Sequence, residues 1–75
     1  MLNWEYTTVN LEWSYDDRAK GWVCEAYGET FKSIDEALDV RGSQGWELVN
    51  ITLLYRVLNS EHYHMFFKAP QKADQ

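Results

Sequence analysis

The segment Gly42-Ser43-Gln44-Gly45-Trp46-Glu47-Leu48-Val49 constrains this chain more than any other. Two glycines bracket a polar pair, and an apolar run follows at once. Glycine accepts the left-handed backbone that closes a helix. The run beyond it, Trp46 to Leu58, is rich in Val, Ile, Leu and aromatic residues, which favour a pleated surface. The segment reads as a helix end leading straight into a strand. The start of that helix is equally marked. Ser33-Ile34-Asp35-Glu36 fits a capping box, in which the Ser33 hydroxyl accepts from the Glu36 amide and the Glu36 carboxylate reaches back to the Ser33 amide. Asp35 and Glu36 sit where the helix dipole favours negative charge. Ile34, Ala37, Leu38 and Arg41 recur at helical spacing, with the Arg41 stem expected along the apolar stripe. A helix of about three turns does not persist alone in water, so it must dock on a sheet.

The rest of the chain supplies that sheet. From Trp4 to Trp13 residues alternate, with Trp4, Tyr6 and Thr8 on one side and Glu5, Thr7, Val9, Leu11 and Trp13 on the other. Ser14 to Gly21 is polar and reads as a hairpin loop. Trp22 to Tyr27 is a second strand, placing Trp22, Cys24 and Ala26 together, and Gly28 ends it. Trp46 to Leu58 reads as a central strand, because it is apolar on both faces. Val49, Ile51, Leu53, Tyr55 and Val57 fall on one of those faces. Asn59-Ser60-Glu61 is a turn. His62 to Ala69 is the last strand, with Tyr63, Met65, Phe67 and Ala69 opposed to His62, His64, Phe66 and Lys68. Pro70 ends it. The expectation is an α+β domain over residues 1–70, an antiparallel four-stranded sheet with one helix on one face in the order ββαββ, and a frayed tail over 71–75.

Three motifs carry a resemblance. Trp4-Glu5-Tyr6, Gly42-Ser43-Gln44-Gly45-Trp46-Glu47-Leu48-Val49 and Phe66-Phe67-Lys68-Ala69-Pro70 span nearly the whole chain. Together they resemble a small prokaryotic family, domain of unknown function 4177. The resemblance implies a short α+β domain and no particular reaction. The chain departs from that pattern at Arg41, where an apolar residue is expected, and at Ala69, where a basic residue often precedes the proline.

Composition narrows the function classes. Twelve Asp and Glu against seven Lys and Arg give a net charge of -5. That balance disfavours nucleic acid, whose non-specific affinity comes from phosphate neutralisation, and anionic membrane surfaces. No apolar run reaches the roughly 20 residues of a membrane span. The start carries no basic region followed by an apolar one, so no export signal is read. With the single Cys24, these features point to a reducing cytoplasm. One cysteine also rules out an intrachain disulfide. A chain of 75 residues has a thin core, and small domains without staples gain stability by self-association. Aromatic residues make up 16% of the chain, and each buries about 150–250 Å².

No catalytic constellation emerges. His62 and His64 share a strand face, but a structural zinc needs four ligands, and no CxxC or HExxH spacing adds to them. Cys24 could act as a nucleophile with a histidine base, yet a lone strand cysteine is ordinarily a small buried hydrophobe. Asp16-Asp17 lacks the alternating carboxylates of a calcium loop. Gly42 and Gly45 follow a helix rather than opening one, so no N-terminal amides face a phosphate. The repeated Trp4-Glu5 and Trp46-Glu47, set on neighbouring strands, would place two carboxylates in one cleft and raise the pKa of one of them. The simpler reading puts the indoles in the core and the glutamates in water. The expectation is a non-enzymatic, self-associating module, a homodimer, without metal or cofactor. Trp4, Tyr6, Trp46 and Leu48 are the candidate interface anchors. The alternative is a binding module for a small aromatic or apolar ligand, in a helix–sheet groove walled by Tyr27, Phe31, Tyr55 and Tyr63.

Overall fold

The computed structural model describes residues 3–71. Its elements run β1 (Trp4–Asp16), β2 (Gly21–Ala26), β3 (Glu29–Phe31), α1 (Ile34–Ser43), β4 (Glu47–Val57) and β5 (Ser60–Pro70). All strand pairs are antiparallel, in the order β3-β2-β1-β5-β4. The chain is α+β with one helix on an antiparallel sheet, but the sheet has five strands, not four. The added strand is β3. It follows a two-residue hairpin turn at Tyr27-Gly28, where both residues have positive φ (57° and 74°), the backbone of the primed turns that match strand twist.

The helix ends are built as local chemistry requires. The Glu36 amide donates to Ser33 Oγ at 3.1 Å. The returning arm differs from expectation: Glu36 Oε1 accepts from the Lys32 amide, at 3.2 Å, rather than from Ser33. At the other end the Gly45 amide donates to Gly42 O and the Trp46 amide to Arg41 O, a Schellman closure with Gly45 at φ 91°. Gly42 lies inside the last turn, and Gly45 alone supplies the left-handed residue.

Directly opposed residues of an antiparallel pair share a face, so the register assigns each side chain. Leu11, Cys24, Ala26, Phe31, Met65 and Phe67 form the core beneath Ala37 of the helix. Val9, Trp13, Leu48, Ile51 and Tyr63 pack around them. The face assignments from alternation in β1, β2 and β5 hold. Those in β4 fail, because bulges fall between Leu48 and Asn50 and between Leu53 and Tyr55. Each bulge inserts one residue and reverses the alternation. Leu48, Ile51 and Leu53 therefore oppose Phe67, Met65 and Tyr63 on the helix side, while Tyr55 and Val57 oppose His62 and Ser60 on the other.

A second correction concerns the place of β4. It is an edge strand, not a central one. The central pairing is β1 with β5, in unbroken register from Trp4↔Pro70 to Ser14↔Ser60. The Gln71 amide donates to Asn3 O at 2.8 Å beside that ladder; of the tail expected over 71–75, residues 72–75 lie outside the described part. No helix among the described residues is long and apolar enough to cross a membrane.

Candidate functional site

The face turned away from the helix is built in cross-strand rows. One row crosses all five strands: Tyr55, His62, Glu12, Glu25 and Thr30 stand opposite one another in turn. The Tyr55 ring stacks on His62 with centroids 4.4 Å apart. His62 Nε2 lies 3.2 Å from Ser60 Oγ and 3.9 Å from Glu12 Oε2. Glu12 then faces Glu25 directly across the β1–β2 ladder. Like charges in that relation oppose sheet formation, so the row carries a local conflict. It borders a cleft of about 480 Å³ whose lining includes Asn10, Glu12, Glu25, Tyr55 and His62.

Farther along the same face, Lys68 Nζ sits 4.5 Å from the centroid of the Trp4 ring, a cation–π contact. Tyr6 and Phe66 are exposed beside it. Thus Trp4 and Tyr6 are surface groups on the open face. Trp46 and Leu48, expected to join them, are half-buried and pack against the core on the helix side. The four anchors do not form one patch, because the bulge after Leu48 and the helix above it turn that end of β4 inward.

The expected ligand walls divide in the same way. Phe31 is in the core, and Tyr27 meets it edge to face at 5.9 Å. The Tyr27 hydroxyl donates to Ala37 O, and the Arg41 guanidinium lies 4.3 Å over its ring. Arg41 thereby seals the helix–sheet seam where an apolar residue was expected. The Tyr63 hydroxyl donates to Glu61 Oε1 at 2.7 Å, and that hydrogen bond raises its pKa. Tyr55 stands on the opposite face. Three of the four, Tyr27, Tyr55 and Tyr63, nevertheless line the cleft described above. Sequence reasoning missed Glu12 and Glu25. The signal for them was their position on two strands joined by a hairpin, readable once its register is known.

Glu5 and Glu47 do not share a cleft. β5 separates their strands, and the two residues oppose Ala69 and Lys68, which lie on different faces. Nor does Cys24 meet a histidine. It is fully buried on the helix side, whereas His62 and His64 project from the other. Among the described residues, no group of three His, Cys, Asp or Glu side chains is placed to hold a metal ion.

Burial, and secondarily the Glu25 carboxylate, push the Cys24 thiol from 9.0 up to about 11. Burial also raises Tyr27, against the opposing pull of Arg41. A group whose folded pKa is raised stabilises the fold below its unfolded pKa and loses that contribution as pH rises through the folded value. Thermal melts should therefore drop steadily from about pH 9 to about pH 11. The Cys24→Ala variant should show a shallower fall. An unchanged slope in that variant would exclude the thiol as a source.

The β4 edge is the other conspicuous surface. Its exposed apolar residues are Val49, Leu53, Leu54, Tyr55 and Val57, followed by Leu58 in the turn, which is 90% exposed. Compared with family models, curated proteins and solved structures, the chain matches none.

Proposed function

We propose that this chain is a non-enzymatic module that works by associating with a second copy of itself. The observation that carries this reading is uncovered apolar surface: Tyr6, Val49, Leu54, Tyr55, Val57 and Leu58 are each more than half exposed, and contiguous exposed apolar groups mark interaction surfaces. One helix covers part of one face, and the layer is unfinished on its own. A lone, buried cysteine suits a reducing compartment, so the cytoplasm belongs to the same reading. Light scattering from micromolar to millimolar concentration is the test. A mass that rises to twice that of the chain supports the reading. A constant single-chain mass would end it.

The Glu12–Glu25 pair favours one alternative. Sequences keep local conflicts at functional positions, and this one borders a cleft with an aromatic wall. A small aromatic cation would stack on Tyr55 and His62 and relieve the repulsion. Benzylamine should then shift the amide resonances of Glu12, Glu25 and His62, and benzyl alcohol should not. Equal effects, or none, would discard this alternative.

A further inference from the structure

We propose that two copies join edge to edge through β4, antiparallel, with Thr52 of each at the two-fold axis, so that two five-stranded sheets become one. This rests on the self-association read above and names its surface.

Among the described residues, β4 is bonded to β5 on one side and to no strand on the other. It is 11 residues long. Long, apolar edges pair with other strands unless blunted by charge, proline, shortness or bulges; β4 is long and carries no lysine or proline. Its two bulges bend the strand, but Asn50 to Leu53 keeps regular register between them. The exposed side chains are concentrated here: Val49, Leu54, Tyr55 and Val57 are each more than half exposed.

The occupant is a second copy because the strand is complementary to itself when reversed. Its acidic residue, Glu47, lies at one end, and its basic residue, Arg56, lies near the other. These two charges do not meet across the seam, since Glu47 lies on the open face and Arg56, bonded to Glu61, on the helix face; instead Glu47 opposes Val57 of the other copy and Leu48 opposes Arg56, each pair on a shared face. With Thr52 on the axis, the two threonines face each other on the open face. Ile51 then opposes Leu53 of the other copy on the helix face, twice over. Threonine pairs and branched apolar pairs are both favourable cross-strand neighbours. A two-fold axis normal to the sheet leaves both helices on the same side, and the contact closes on itself without propagating.

The test uses charge at the axis. Thr52 is exposed and, among the described residues, its hydroxyl donates only to Asn50 Oδ1, at 3.3 Å, so the monomer fold tolerates substitution there. Thr52→Lys and Thr52→Glu each set two like charges face to face. Each should weaken dimerisation about tenfold by light scattering, and an equimolar mixture of the two should recover a dimer. Tyr6→Lys, on the open face, should leave the wild-type mass unchanged. Amide exchange supplies a readout that needs no variant. Outward-facing β4 amides of the wild-type protein should become protected as concentration rises.

A wild-type dimer that persists in both Thr52 variants, with β4 amides unprotected, overturns the β4 assignment and leaves self-association standing on another surface. A wild-type protein that stays single-chain throughout overturns both, and leaves the edge to a strand from a different protein.

Discussion

Replacing Phe67 with alanine should lower the melting temperature by about 15–30 °C. Phe67 is 1% exposed. It lies on β5, between β1 and β4, opposite Thr7 on one side and Leu48 on the other. Removing a buried phenyl ring costs about 3–5 kcal/mol, through lost transfer energy and the cavity left behind. A domain of this size has roughly 4–11 kcal/mol of stability to lose, and each kcal/mol moves its midpoint by about 4–8 °C. Phe66, its neighbour in sequence, is the control. It is 41% exposed on the open face, so Phe66→Ala should cost less than about 1 kcal/mol. Circular dichroism melts of the two variants check the pair. Equal losses would mean that the face opposite the helix is as well covered as the core.

Ala37→Asp is the second severe substitution. Ala37 is fully buried where α1 meets the sheet, and its carbonyl accepts from the Tyr27 hydroxyl. A carboxylate there loses its water, which costs several kcal/mol, and the Arg41 guanidinium one turn on, held over the Tyr27 ring, offsets only part of that. Desolvation raises the folded pKa of the new carboxyl. The acid form is therefore favoured in the folded state, and the damage is greatest above that raised pKa. Ala37→Asn brings similar bulk without the charge. Urea midpoints at neutral pH should place the Asp variant well below the Asn variant, and the gap should narrow on acidification. A gap independent of pH would show that the side chain escapes to solvent and that the helix is not seated on Ala37.

The sequence was most legible where structure is decided within a few residues. Ser33 and Glu36 announced the helix start, and Gly45 its end, because caps satisfy backbone groups from nearby side chains. The two faces of β1 and β5 were legible because their alternation runs unbroken. β4 was misread twice. An apolar residue looks the same whether it fills a buried face or waits on an open edge, so strand composition could not tell edge from centre. Its bulges cannot be seen in the alternation, because inserting Val49 and Leu54 leaves a plausible pattern in the wrong phase. β3 was missed because three residues carry almost no periodicity, and its turn begins with Tyr27, where asparagine or glycine would have marked it. The site suffered for the same reason. Glu12, Glu25, His62 and Tyr55 come from four strands, and only the register makes them neighbours.

The pairing of β1 with β5 also governs how the chain finds its fold. It joins Trp4 to Pro70 and so closes nearly the largest loop this sequence can make. That closure is entropically dear and comes before most of its contacts can compensate. The same pairing leaves Asn3 and Gln71 hydrogen-bonded side by side. A circular permutant, with the old ends linked and new ones opened in the loop between β1 and β2, would turn the most distant ladder into a local hairpin. Its contacts would be nearly those of the parent, yet it should fold faster, with the gain confined to the folding limb of the chevron.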